Sequence, residues 1–321
     1  MESVPVWANA LIALATFFVI AVGAKYVVDS AADLAQRAGV SELAVGLTVV
    51  AFGTSAPEFG VTLVAAFEGQ SAISVGNIVG SNIFNLGFIL GSAALLKAIP
   101  TDALLVWRDS VVLVGATVVL YLLVGFDLHL SLLDGVVLVG LLLGYLALVW
   151  SGRHIGTAGV TAEVHDLATP ELPVWRDALL LVLGLVLVGV ASHFLIGSAT
   201  ALARSFGVSE WAIAVTVVAA GTSVPELATT IAGVARGHMA ISAGNVIGSD
   251  IFNVLGVLGV AGILHPMALD PAARASLMAL TGMVVVVLVM MRSGWRVSRA
   301  EGVTLVMLAA LRWVLDFATH S

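Results

Sequence analysis

The sequence predicts an all-α polytopic membrane protein in which ten transmembrane helices form two inverted five-helix repeats, with broken helices at the midplane. Three observations carry that expectation. The 321 residues are 60% hydrophobic and only 10% charged, against roughly 45–50% and 25% in soluble domains. Two sequence blocks recur at one fixed spacing. Lysine and arginine collect on one side of the alternating spans.

A membrane helix takes about 20 residues, and the hydrophobic runs fall at about 7–28, 43–67, 71–96, 108–126, 130–150, 174–195, 211–235, 239–264, 274–291 and 300–318. The first run has no positively charged residue before Lys25, so it reads as an uncleaved helix rather than a signal peptide. Lys25, Asp29 and Asp33 sit at helix-end spacing on what is expected to be an overlong, tilted first helix. The long polar interruption from Ser151 to Pro173 reads as a linker. The organisation expected is therefore a first repeat over 1–150, a linker over 151–173 and a second repeat over 174–321.

The repeat itself is explicit. GVSELAVGLTVVAFGTSAPE, ending at Glu58, returns as GVSEWAIAVTVVAAGTSVPE, ending at Glu226, and AISVGNIVGSNIFN, ending at Asn85, returns as AISAGNVIGSDIFN, ending at Asn253. Both pairs keep an offset of 168 residues, as do Trp7 and Trp175. Five spans per repeat is an odd number, so the second repeat enters the membrane from the opposite side. With ten spans, ten of the thirteen basic residues lie on one side and only Arg204, Arg274 and Arg312 on the other. The positive-inside rule then places the linker in the cytoplasm and both termini outside.

Composition also narrows the function. A chain without cysteine has no disulfide framework, thiolate metal site or cysteine nucleophile. The net charge of −7 and thirteen basic residues, needed for orientation, make nucleic acid an unsuitable partner, and no protein partner is evident. Neither an HExxH metal motif nor a Gly-x-Ser-x-Gly elbow occurs, so an intramembrane enzyme is not expected, and no cofactor is called for.

Charge inside the hydrocarbon is costly unless paired, hydrated or ion-bound. Glu58 and Glu226 lie about fifteen residues into their hydrophobic runs, at equivalent repeat positions, and Asp250 lies about ten residues into another. Two carboxylates brought to one pseudo-symmetry axis repel unless one is protonated or a cation sits between them. Each closes a Gly-Thr-Ser-x-Pro-Glu segment, Gly53 to Glu58 and Gly221 to Glu226. Pro57 and Pro225 have no N–H to give to the carbonyls of Gly53 and Gly221, which loosens each helix just before its glutamate. Unwound backbone at membrane depth is tolerated where it lines a cavity or binds something. Carbonyls, the hydroxyls of Thr54, Ser55, Thr222 and Ser223, and two carboxylates make an all-oxygen set suited to Ca²⁺ or Na⁺. A packing kink would also produce this motif.

The second block adds oxygen. Ser81 and Asn85 share a helix face four residues apart, as do Ser249 and Asn253, and could complete a coordination shell. Gly80, Gly248, Asn77 and Asn245 fit a packing role as well as an ion-binding one. Asp250 lies three residues before Asn253 and its repeat mate is the neutral Asn82, which leaves it as an outer or protonatable group. His193 reads as a packed or interfacial residue, and Arg292, Arg296 and Arg299 as a cytoplasmic anchor.

Taken together, the paired GTSxPE and GNxxGSN/D motifs resemble the alpha-repeats of the sodium/calcium exchangers, in the cation/calcium exchanger superfamily. The resemblance covers both repeats and nearly the whole chain. It implies alternating access, with Na⁺ and Ca²⁺ competing for a midplane site in the lipid bilayer. Glu58 and Glu226 would bridge the ions, and the carbonyls of Thr54 and Thr222 would ligate Ca²⁺. Ser55, Ser223, Ser81 and Ser249, with the carbonyls of Ala51 and Ala219 and helped by Asn85 or Asn253, would form flanking Na⁺ positions. The long first and sixth helices would slide across a rigid remainder. Neutral Asn85 and Asn253, where some relatives carry an acid, argue against K⁺ co-transport, and the short central segment resembles prokaryotic members. The expected function is Na⁺/Ca²⁺ antiport, extruding Ca²⁺ on the inward Na⁺ gradient across the cell membrane. The alternatives are an H⁺-coupled divalent-cation antiporter on the same scaffold and, less in keeping with broken helices, a cation channel.

Overall fold

The structure, a computed structural model, describes residues 5–152, 173–205, 219–269 and 271–320. It is helical almost throughout. The first repeat comprises α1 (Val6–Ala38), α2 (Glu42–Thr54), α3 (Ala56–Phe67), α4 (Ile73–Leu96), α5 (Leu105–Val124) and α6 (Leu132–Ser151). The second comprises α7 (Val174–Ser205), α8 (Ala219–Thr222), α9 (Val224–Arg236), α10 (Met239–Leu264), α11 (Ala272–Gly294) and α12 (Arg299–His320). Among the described residues seven helices are long and apolar enough to cross a membrane, or eight with the bent pair α2 and α3. The two other expected spans are α12, a helix of 22 residues, and 211–235, which is described only from Ala219 onward. Most of the linker, including Arg153, His154, Glu163, His165, Asp166 and Glu171, lies outside the described residues.

Local chemistry fixes the helix ends. Gly39 ends α1 at φ 63°, in the left-handed region that favours glycine. Ser41 then caps α2 by accepting the Ala44 N–H at 3.2 Å, and Ser131 and Asp134 form a reciprocal capping box on α6. Gly69 (φ 73°) and Gly237 (φ 90°) occupy equivalent repeat positions and turn the chain from α3 into α4 and from α9 into α10. The two long helices exceed their hydrophobic runs: α1 has 33 residues and α7 has 32. Each extends into the interface, which explains Asp29 and Arg37. Asp29 pairs with Arg236 at 3.0 Å, and Arg37 with Asp177 at the start of α7 at 3.1 Å.

Helix burial sorts the bundle. The α10 window is 83% buried and that of α4 72%, against 33% for α1 and for α7 and 28% for α6. The repeat-equivalent pair α4 and α10 therefore forms the centre, and the others turn apolar faces such as Leu14, Phe18, Leu133 and Val186 outward to lipid. The centre is drawn tight by glycine. A Cβ on Gly248 would stand 2.6 Å from the Leu47 carbonyl oxygen, and one on Gly46 2.7 Å from that of Ile241, so α2 and α10 touch backbone to backbone. Gly248 is thus a packing residue. α1 and α7 cross in the same way, at Gly23 and Gly184.

Two short ladders report the inversion. Ile99 pairs with Val297 and His129 with Ala268, both antiparallel. Under the 168-residue offset Ile99–Pro100 of the first ladder corresponds to Met267–Ala268 of the second, and His129 of the second to Val297 of the first, so the two ladders are repeat images to within one residue of register. The first joins the α4–α5 turn to the α11–α12 turn, and the second joins α5–α6 to α10–α11. Those pairings hold each joined pair of turns at one end of the bundle.

Candidate functional site

Each proline-bearing break opens at a serine. Ser55 (φ −79°, ψ 6°) separates α2 from α3, and Ser223 (φ −87°, ψ 8°) separates α8 from α9, so the ψ angles leave the helical range at the same repeat position. Around Ser55 the axis bends by 46°. Pro57 and Pro225 sit in the first turn of the following helix, where a missing N–H costs nothing. Glu58 and Glu226 follow at once, both fully buried. Each carboxylate is thereby held at the N-terminus of a half-helix, whose partial positive charge favours an anion.

The repeats cross at this point. Ser55 Oγ donates to Glu226 Oε1 at 2.9 Å, and Ser223 Oγ donates to Glu58 Oε1 at 2.9 Å. Each hydroxyl thus serves the carboxylate of the other repeat. Thr54 Oγ1 lies 3.4 Å from Ser249 Oγ, and Ser81 Oγ lies 3.4 Å from Thr222 Oγ1, by the same exchange. Asn85 opens a π-helical turn over Asn85–Ile89 and Asn253 is the second residue of one over Phe252–Val257, a helix defect often found at functional positions. Asn85 Nδ2 donates to Asp250 Oδ1 at 3.0 Å, and Asn253 Nδ2 to Asn82 Oδ1 at 3.0 Å.

The remaining lone pairs are informative. Glu58 Oε2, Glu226 Oε2, Asn85 Oδ1, Asn253 Oδ1 and Asp250 Oδ2 are buried with no hydrogen-bond partner. All five are oxygens. A buried carboxylate left uncompensated costs several kcal/mol, and a set of unfilled acceptors is what a hard cation requires. Among the described residues no three His, Asp or Glu side chains cluster as a chelating group. The donor set is therefore two carboxylates supplemented by hydroxyl and amide oxygen.

Thr54, Ser55, Ser81, Thr222, Ser223 and Ser249 are buried and linked by hydrogen bonds or close contacts to one another or to the two glutamates, whereas the equally buried Asn85 and Asn253 bond instead to Asp250 and Asn82. The Ala51 carbonyl accepts the Ser55 N–H at 3.0 Å and the Thr54 hydroxyl at 3.3 Å, so it keeps its helical bond at this break. Ala219 opens the short helix α8. Asn77 and Asn245, left between two roles by their sequence, act as clamps. Asn77 Nδ2 donates to the Glu58 carbonyl and to Thr62 Oγ1, and Asn245 Nδ2 to the Glu226 carbonyl, Thr229 Oγ1 and Thr230 Oγ1. Thr62, Thr229 and Thr230 escaped the sequence reading. Their signal was a polar residue recurring one turn after each glutamate. Away from the site, Asp109 is also buried, bridged by Arg108 at 2.8 Å and by the Tyr145 hydroxyl at 3.1 Å. It too went unread, although an acid directly after an arginine at the start of a span is visible in the sequence.

Inverted repeats whose paired breaks bring two carboxylates to one buried point define a membrane transporter of cations. The match to known proteins agrees in detail. The model of the sodium/calcium exchanger protein family matches residues 8–151 and 177–315, and the chain belongs to that family. Among its relatives are the inner membrane protein YrbG of Escherichia coli, 36% identical with 91% of this chain and 93% of that one covered, and the sodium/calcium exchanger MaX1 of Methanosarcina acetivorans, 29% identical with 93% and 95% covered. Among solved structures, the sodium-calcium exchanger NCX_Mj soaked with Na⁺ and Ca²⁺ superimposes with a TM-score of 0.83 at 26% identity, covering 98% of this chain and 99% of that one.

Proposed function

We propose that this protein is a secondary antiporter that exchanges Na⁺ for Ca²⁺ by alternating access and extrudes Ca²⁺ on the inward Na⁺ gradient. The observation that carries this reading is the pair of fully buried glutamates, each satisfied at Oε1 by the other repeat and unsatisfied at Oε2. Two negative charges match one Ca²⁺, and the same oxygens divide among Na⁺ ions when Ca²⁺ leaves. Glu58 and Glu226 bridge the ions, with the carbonyls of Thr54 and Thr222 on Ca²⁺. Ser55, Ser223, Ser81 and Ser249, the carbonyls of Ala51 and Ala219, and Asn85 or Asn253 flank them for Na⁺. α1 and α7, the two longest helices and crossed directly on one another at Gly23 and Gly184, form the sliding pair across the remaining core. The termini lie outside and the segment 151–173 in the cytoplasm, on the ten-to-three distribution of basic residues.

Purified protein in vesicles loaded with Na⁺ tests the reading. With voltage clamped by valinomycin, an outward Na⁺ gradient is expected to drive Ca²⁺ uptake. No uptake would sink Na⁺ coupling. The H⁺-coupled alternative draws support from the third buried acid, Asp250. Uptake driven by a pH gradient in the absence of Na⁺ would select it.

A further inference from the structure

Repeat-equivalent faces of the core are covered unequally. On α9, Val224, Ala228 and Ala232 are half-buried against a cluster of α1 and α7 side chains that includes Ile20, Ala24 and Val188. Their mates on α3, Ala56, Gly60 and Val64, are all exposed, and a Cβ on Gly60 would meet nothing within 4 Å. α1 thus lies along α9, whereas α7 makes no comparable approach to α3. The motion that inverted repeats allow is an exchange of these two arrangements, with α1 leaving α9 while α7 settles on α3.

The ion pairs between described residues sort by the boundary that this motion crosses. Arg37 and Asp177 join α1 to α7, the two moving helices. Arg108 and Asp109 lie together on α5, and His238 and Glu42 join the α9–α10 turn to α2, so both of those pairs stay within the core. Asp29 and Arg236, 3.0 Å apart, join the moving α1 to the core helix α9. Their repeat mates are Gly197 and Glu68, which can form no ion pair, and Glu68 accepts a hydrogen bond from Gln70 instead. The charge pair therefore belongs to one of the two arrangements and has no counterpart in the other.

We infer that Asp29 and Arg236 form a latch that holds α1 on α9 and biases the protein toward the state closed at the cytoplasmic face. The latch rests on the alternating-access reading and the topology above. The Arg236 side chain is 29% exposed and that of Asp29 41%, and pairs open to water in this way shift an equilibrium by roughly two- to fivefold. Between two states of similar free energy, a factor of that size changes which one prevails.

The test places spin labels on cysteines at two exposed positions, Gln36 on α1 and Ser293 on α11, in a chain that has no cysteine of its own. Their separation, measured by pulsed spin resonance in bilayers at saturating Ca²⁺, reports α1 against the core. Two populations are expected. Asp29→Asn and Arg236→Gln should each move weight roughly two- to fivefold from the latched separation to the other. The two together should move it no further than either alone, because they remove one shared bond. The charge exchange Asp29→Arg with Arg236→Asp should return the wild-type populations, which a packing role for either side chain would not do. Wild-type populations in both single variants, or a shift that the charge exchange leaves in place, would overturn the latch and leave alternating access intact. One population in the wild type and in every variant, whether Na⁺ or Ca²⁺ is bound, would remove alternating access and the latch with it.

Discussion

At the scale of single residues, ion binding turns on two carboxylates that lipid would exclude. Replacing Glu58 or Glu226 by Gln keeps the shape and the Oε1 acceptor but removes one of two charges facing a divalent ion. Breaking a buried charge partnership costs about 3–5 kcal/mol, so Ca²⁺ exchange in either variant is expected to fall at least about 100-fold in the vesicle assay. Retained activity in either would refute the assignment. Both glutamates were legible because an acid deep in a hydrophobic run needs a reason, and two at one repeat position need a shared one. The serine crossing was not legible. Spacing along a helix tells which residues share a face, not which foreign side chain that face meets, so Ser55 could be nominated but not matched to Glu226. Asn77 and Asn245 were ambiguous because an amide suits packing and ion binding equally well. Only the contact with the glutamate carbonyls decides for the clamp.

Among the elements, sequence located the breaks better than the helix lengths. Pro57 and Pro225 announce the bends chemically, whereas α1 and α7 continue past their apolar runs on polar residues that pair only in three dimensions. A polar pair elsewhere, between the α9–α10 turn and α2, carries a pH prediction. His238, just before α10, meets Glu42 at the start of α2 at 3.0 Å. The hydrogen bond to Glu42 raises the imidazole above its ordinary value, outweighing the burial that would lower it. A group whose folded value is raised stabilises fully below its unfolded value of about 6.5, and that contribution is lost as pH climbs through the folded value. The α2–α10 junction should therefore weaken as pH rises above about 6.5. Thermal unfolding of the detergent-solubilised protein should show a component that declines from pH 6 to 9 by an amount absent in His238→Gln, on the order of 1 kcal/mol. Equal slopes in the two proteins would refute this role for the pair.

The whole molecule was the most legible level, since a 168-residue offset with an odd number of spans admits one arrangement. The ladders β-paired at Ile99–Val297 and His129–Ala268 realise it. Sequence could not supply which helices are central, because α4 and α10 are less apolar than most of the other spans and α10 packs tightly through glycines that admit a second backbone. The orientation is open to direct test, as the chain has no cysteine. A cysteine at exposed Ser293 should react with a membrane-impermeant thiol reagent only from the cytoplasmic face, and one at Asp127 only from outside; the reverse pattern would invert the topology. The central claim is that Na⁺ and Ca²⁺ compete for one buried site between the repeats. Calorimetric Ca²⁺ titration of the purified protein, repeated at rising Na⁺, addresses it most directly. Saturable Ca²⁺ binding that Na⁺ progressively displaces, and that vanishes in the Glu58→Gln, Glu226→Gln double variant, is the predicted result. Ca²⁺ binding indifferent to Na⁺, or surviving loss of both glutamates, would contradict it.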